Sequence, residues 1–407
     1  MTLPDPTRAE ALARLDAFAP RMGHRYAARR NHDHGPGCHL DVSGLSPWIR
    51  PRLLTEQEVV ARAVAAHGSA AEKFVQEVVW RSYFKGWMEQ RPAIWHAYRS
   101  GLAADLAAAA RDPDLAARIE AAETGRTGIG CMDAWARELR ETGYLHNHAR
   151  MWFASIWIFT LGLPWRVGAD LFLRHLIDGC PSSNTLGWRW VAGLHTRGKA
   201  YEATAENIAR FTGGRHSPDP SQLAQGITPL DHTEPEGLPR PHLPPPGPAP
   251  DPRLPALLLI TAEDACPEDF GLSAHDIRGA VTLAAAPLRS ARPVADRVLA
   301  FEVGALADAA ARAGIPAQPM SAGDAPALVA AARSCGARQI VTPHVPQGPL
   351  RDWLDDAAPA LEAEGLSLRH WMRDWDRAFW PQATAGFFKV RERVPRTLAA
   401  LGIEIRD

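Results

Sequence analysis

Residues 151–163 (MWFASIWIFTLGL) form an almost wholly apolar run of 13 that polar residues bracket closely. A bilayer-spanning helix needs roughly 20 apolar residues, so this run predicts a helix buried in a soluble protein. Asn147, Arg150 and Met151 stand at i, i+3 and i+4, on one face of the helix that enters it. A cation on the edge of an apolar helix needs a partner, because an unpaired buried charge is very costly. Asp178, in LIDG, is the natural candidate. Asn184, Trp188 and Trp190 follow in what reads as a short glycine-containing loop. An ion pair, an amide and indoles in one segment predict either a helical core with one structural pair or the wall of a pocket for a flat, polar-edged ligand.

Around this segment the chain divides in three. Residues 1–20 read as a short helix, with Leu12 and Leu15 apolar among charges. His32, His34, Cys38 and His39 follow in a Gly/Pro-rich stretch. Their spacing matches no standard zinc site, so no metal is expected. Helices are predicted over 74–88, over the Ala-rich 101–123 and over 200–212. Residues 213–255 hold 13 prolines with little periodicity and read as a linker of partly polyproline II character. Beyond it, strand-like runs at 256–261, 280–284, 338–342 and 366–370 alternate with helical stretches at 294–312, 324–335 and 349–364. That alternation predicts a parallel sheet with helical crossovers. The expected architecture is a mainly α domain (1–212), a linker (213–255) and an α/β domain (256–407).

The five cysteines are scattered without a CxxC pair, which argues against a disulfide framework. The first residues are charged and lack an apolar h-region, so a cytoplasmic location without a membrane span is expected. Residues 1–216 carry 27 Lys+Arg against 22 Asp+Glu, and the remainder 18 against 24. Only the first part is therefore suited to meet a polyanion, although such a difference also arises by chance.

Residues 127–151 and 176–188 resemble the cryptochrome/DNA photolyase family. The pattern TGxxxxDAxxRxLxxTGxxHNxxRM is met by Thr127, Gly128, Asp133, Ala134, Arg137, Leu139, Thr142, Gly143, His146, Asn147, Arg150 and Met151. Leu176, Ile177, Asp178, Gly179, Asn184, Gly187 and Trp188 then match LIDG…N…GW. Ser43, Leu45, Ser46, Pro47 and Trp48 resemble the family's TSRLSPYL turn, with Val42 and Gly44 in place of Thr and Arg. Residues 74–84 resemble FxxELIWREFF, with Ser82 where the family has Glu. The family places its α/β antenna domain first; here the order is reversed, as in a circular permutation.

The resemblance implies FAD as cofactor, with Tyr26, Ser43, Leu45, Ser46, Arg81, Arg150, Asp178, Cys180 and Asn184 around it; Cys180 replaces a second Asp of the family's DGD. It implies a substrate slot for a pyrimidine dimer flipped out of damaged DNA, made by Glu77, Trp80, Asn147, Met151 and Trp190. Arg189, Arg197, Lys199 and Arg215 are the nearby cations for flanking phosphates. It further implies electron transfer through Trp188 and Trp165, with no outer tryptophan in the expected place. The expected function is light-driven splitting of cyclobutane pyrimidine dimers by reduced FAD, that is, a deoxyribodipyrimidine photo-lyase. The alternatives are a cryptochrome-like photoreceptor without repair and a flavin-free helical DNA-binding module. An antenna chromophore and protein partners are not specified by the sequence.

Overall fold

The computed structural model describes residues 4–405. Its first half is helical. Thr55 and Glu58 form a reciprocal capping box at the start of the helix Glu56–His67. The helix predicted at 74–88 runs from Glu72 to Glu89. The Ala-rich stretch is two helices, Pro92–Arg111 and Pro113–Thr124, because the Asp112 carboxylate accepts from the Asp114 and Leu115 amides and Pro113 opens the second.

The apolar run is a buried helix with an irregular end. Asn147–Ser155 is α-helical and Ile156–Thr160 widens into a π-turn, with the Leu161 amide donating to the Ile156 carbonyl. Two expectations need correction. Asn184, Trp188 and Trp190 lie in a helix, Pro181–Val191, with Pro181 in its first turn and Gly187 inside it. The helix expected over 200–212 is only Ala205–Phe211, capped by the Thr204 hydroxyl.

The second half holds one all-parallel sheet of β1 (Ala256–Thr261), β2 (Ile277–Ala284), β3 (Ala317–Ser321), β4 (Gln339–Pro343) and β5 (Ser367–Trp371), in the order β3-β2-β1-β4-β5. The edge strand β3 was not expected from its sequence. It is half exposed and carries Pro319, which an edge strand tolerates. Every residue of β1 is buried. Leu258 and Ile260 of β1 share a core with the helices, while Leu257 and Leu259 face the other side of the sheet.

The proline-rich stretch is pinned along its length. The His242 amide donates to the Gln90 carbonyl, Arg91 to the Pro239 carbonyl, and the His370 amide to the Pro248 carbonyl. After β5 the chain returns to the helical half in three short helices, Asp374–Phe379, Phe387–Arg391 and Val394–Ala400. No described helix is long and apolar enough to cross a membrane.

Arg52 ties these parts together. Among the described residues it is the one non-glycine at positive φ, at 54°, a strained conformation for an L-residue. Its guanidinium donates to Asp376 at 2.6 and 2.8 Å, to Glu56 at 3.0 Å and to Asp264 at 3.4 Å, and all four side chains are buried. Arg52→Met should leave three carboxylates short of a cation and destabilise the protein by about 3–5 kcal/mol. Urea unfolding checks this; a loss below about 1 kcal/mol would show that Arg373 and Arg81, which also reach Asp264 and Glu56, carry the network without it.

Candidate functional site

The helix Asn147–Ser155 begins where His146 accepts the His148 amide, and this start aims Arg150 at the turn after Trp165–His175. Arg150 donates to Asp178 Oδ2 at 2.8 Å and to the Leu145 carbonyl at 3.0 Å, and lies over the Tyr144 ring. The predicted ion pair is therefore present. Burial pushes the Asp178 carboxyl up, but the Arg150 guanidinium outweighs it and holds the group below the usual range. The Ser46 hydroxyl adds to that lowering, and Asp178 Oδ1 is buried without a well-formed hydrogen bond.

Two residues on, buried Cys180 occupies the N-cap position of the helix Pro181–Val191 without a side-chain capping bond. Burial raises its thiol pKa, yet Arg81, Lys85 and Arg50 together bring it below the ordinary value. These cations gather from two elements. Arg81 and Lys85 stand one turn apart on the helix Glu72–Glu89, and Arg50 lies at the end of the SPW turn. Arg81 donates to Glu56 and to the Arg50 carbonyl, both at 3.0 Å. Arg50 donates to the Gly179 and Ala262 carbonyls and to Glu263 at 2.7 Å. Lys85 Nζ is buried without a partner; burial, then the fields of Arg81 and Arg52, bring its pKa down to about 8. Lys85 and Arg50 were missed by the sequence reading. The signal for Lys85 was its i+4 spacing from Arg81.

Two small cavities of about 10 Å³ each lie beside Arg50, and Ala262, Arg289 and Glu302 also line both. Burial lowers the Arg289 guanidinium pKa to about 10, and the side chain donates to the Leu176 carbonyl. A cavity of that size holds about one water molecule, so neither seats a dinucleotide. Asp178 Oδ1, Lys85 Nζ and Trp188 Nε1 are buried without a well-formed hydrogen bond, and none of these three residues lines either cavity.

The other predicted residues are distributed as follows. Asn184 Nδ2 donates to the Ala169 carbonyl at 2.8 Å. Leu45 is wholly buried core, and the Ser43 hydroxyl accepts the Leu45 amide just before the four-residue helix that Ser46 opens. Tyr26 is buried edge-on to Phe74, and its hydroxyl is pushed up first by burial and then by Glu77. Glu77 pairs with Arg30 at 2.9 Å. Asn147 and Met151 sit side by side at the protein's edge, Nδ2 to Sδ 3.9 Å.

Trp80 and Trp190 have separate partners. Trp80 stacks on Phe387 with ring centroids 3.8 Å apart, and Trp190 packs on Tyr201 at 5.5 Å. Trp188 is buried against Phe172 and stands 6.3 Å from Trp157, so closely packed on Gly168 that a Cβ there would lie 2.3 Å from the indole. Trp165 is instead beside Tyr98, which stacks on Trp95.

The cations expected to meet phosphates are largely committed elsewhere. Arg189 is buried in a fork on Glu234, Arg197 donates to the Glu234 and Asp231 carbonyls, and Arg215 pairs with Asp33. These three are corrections to the sequence reading, because carboxylates and carbonyls of nearby loops claim the guanidinium donors. Lys199 remains exposed.

Residues 74–213 match the protein family described as FAD binding domain of DNA photolyase. The chain is 33% identical over 225 residues to a deoxyribodipyrimidine photo-lyase of Thermus thermophilus, an alignment covering 54% of this chain and 50% of that one. It is 36% identical over 164 residues to the Streptomyces griseus deoxyribodipyrimidine photo-lyase, covering 39% and 34%. A solved cryptochrome of Synechocystis sp. aligns at TM-score 0.43 and 25% identity, over 51% of this chain and 43% of that one. The chain thus spans about half the length of the curated relatives it matches. Its helical half is similar to the flavin-binding part of these photo-lyases.

His195 reaches this region from the turn after Val191, its ring 4.8 Å from Trp87 and its Nε2 3.2 Å from the Tyr83 hydroxyl. Burial, then Arg189 and Arg91, lower its pKa to about 4, and burial does the same for His175 and His370. An unfolded histidine takes a proton near 6.5, so their contribution to stability is complete above that pH and declines as pH falls toward 4. The urea midpoint should drop between pH 7 and pH 5, and His195→Gln should flatten that drop. A midpoint independent of pH over this range would rule the titration out.

Proposed function

We propose that the chain is a flavin-dependent, light-driven photolyase acting on cyclobutane pyrimidine dimers in DNA, with 1–212 as the flavin domain, 213–255 as the connection and 256–407 as an antenna-like domain. The observation that carries the reading is the part-buried Arg150–Asp178 pair, close in sequence to Cys180, inside the segment that matches the family. Bound FAD would supply the absorption of light and the one-electron chemistry. Arg150, Asp178, Cys180 and Lys85 would hold its polar edge. Arg81 and Arg50 would keep that surrounding cationic, and the Ser43–Ser46 turn would meet its phosphates.

Trp80 offers the aromatic face on which a flipped base stacks, with Glu77 one turn earlier on the same helix. Trp188 is the buried indole placed to pass an electron inward, and Trp157 is its indole neighbour. The expected setting is the cytoplasm and the partner damaged DNA. A photoreceptor without repair is the second reading. It is favoured by the cover of Phe387 over Trp80 and by the commitment of Arg189, Arg197 and Arg215 to internal partners.

The purified protein should be yellow, with releasable FAD. Arg150→Ala should lose most of the flavin and destabilise the protein by about 3 kcal/mol by leaving Asp178 buried and unpaired. A variant that keeps full occupancy would detach the pair from the cofactor. Trp188→Phe should keep FAD and lose most photoreduction under blue light with external reductant, yet still split dimers when reduced chemically beforehand. Repair by the wild type but not by the pre-reduced variant would give Trp188 a role beyond electron supply. Photoreduction without repair of dimer-containing DNA would establish the photoreceptor reading.

A further inference from the structure

We propose that residues 383–391 form a displaceable plug, in which Phe387 occupies the stacking position over Trp80 that a flipped base would take. The inference rests on the reading of Trp80 as the base-stacking residue, and it concerns the regulation of that site.

The plug is built from the last part of the chain. After β5 the backbone is fixed firmly to the helix Glu72–Glu89 and its surroundings. Trp375 Nε1 donates to the Ser82 hydroxyl at 2.7 Å, at the position where the family pattern has Glu. Asp376 grips Arg52 with both oxygens. Trp380 lies so close on Gly86 that a Cβ there would stand 2.6 Å from the Trp380 backbone, and its carbonyl accepts from Gln90 at 2.7 Å. Further on, Thr397 Oγ1 accepts from Gln382 at 2.9 Å, so the helix Val394–Ala400 is anchored to the same base. The stretch between is therefore a loop with both ends secured.

That stretch includes the helix Phe387–Arg391, buries Ala383, Phe387 and Val390 in the core, and is also held through its backbone. Its carbonyls accept from side chains of the helical half: Thr384 from Arg91 at 2.7 Å, Ala383 from Arg91 at 3.5 Å and Ala385 from the Tyr83 hydroxyl at 3.0 Å. Phe387 then lies flat on Trp80, centroids 3.8 Å apart and planes 15° apart, with Tyr83 against its edge. A nucleobase on Trp80 would make the same kind of contact, so base and Phe387 compete for one aromatic face at similar strength.

The next residue faces the other way. Phe388 is 70% exposed, and exposed Lys389, Arg391, Arg393 and Arg396 surround it, with Glu392 the one acidic residue among them. A DNA strand arriving at Trp80 would thus meet Lys389 and Arg391 on the plug itself and Arg393 and Arg396 just beyond it, a cationic surface that would draw it in as the base displaces Phe387.

The test uses the full-length protein in the dark, so it depends on neither light nor cofactor reduction. Binding of a fluorescent single-stranded oligonucleotide with one central thymine dimer is compared with binding of the undamaged strand. Phe387→Ala should tighten dimer binding about tenfold, an order of magnitude set by one aromatic stack, and change undamaged binding less than twofold. Adding Trp80→Ala should abolish the gain. In the wild type, amides of 383–391 should lose protection from hydrogen exchange on saturation with the dimer strand but not with the undamaged one, a measurement that needs no substitution in the plug. If Trp80→Ala weakens dimer binding while Phe387→Ala and the exchange pattern change nothing, the slot is real and the plug is wrong. If neither wild type nor Phe387→Ala prefers the dimer, Trp80 is no base-stacking residue, and the plug falls with that reading.

Discussion

The structure depends on burying one guanidinium among three carboxylates. Arg52 accepts a strained backbone to reach Glu56, Asp264 and Asp376, which come from a helix of the first half, the loop after β1 and the segment after β5. Each of these groups would be costly to bury alone, because a charge in a low-dielectric interior needs both a counter-charge and satisfied hydrogen bonds. The arrangement therefore fixes how the sheet and the C-terminal helices sit on the helical half more specifically than the shared apolar core does, since apolar contact carries little direction. Arg373 on Asp264 and Arg81 on Glu56 extend the network outward on two sides.

The candidate site grows out of one flank of that network. Arg81 joins Glu56 to the cationic surroundings of Cys180, so the residues that would face a ligand are positioned by the same carboxylates that hold the halves together. The protein leaves Lys85 Nζ, Asp178 Oδ1 and Trp188 Nε1 without well-formed hydrogen bonds in its interior. At the other flank, the substitution of Ser for Glu at position 82 has a physical counterpart: it accepts the Trp375 indole and lets the C-terminal segment lie against the helix.

The sequence disclosed what depends on local pattern. Apolar patterning located the buried helix around Phe153, the three inner strands and the edge strand β5, and Arg150 and Asp178 were read as a pair because charge near an apolar helix demands one. It failed where long-range packing overrides local signals. The serines and Gly187 of 181–191 resemble a loop, but Pro181 starts a helix that packing against Phe172 and Gly168 preserves. The edge strand Ala317–Ser321 lacks the β-branched residues that mark a strand, and pairing with β2 supplies what its composition does not. Phosphate-binding roles for Arg189 and Arg197 could not be excluded from sequence, since Glu234 and Asp231 lie in a proline-rich stretch with no periodicity to place it. The stacking of Trp80 on Phe387 joins positions more than 300 residues apart, beyond any local pattern.

The span of the Arg52 network has a consequence during synthesis. Asp264 follows Arg52 by 212 residues and Asp376 by 324. At about 5–20 residues per second on the ribosome, Arg52 and Glu56 wait on the order of 15–65 s before Asp376 has even been made. Until then Arg52 has only Glu56 of its three carboxylates, and the helix face around Ser82 and Gly86 has no cover. The nascent chain should therefore remain exposed to proteases and to chaperones that bind apolar surface for most of its synthesis, and commit to its final shape in one late step.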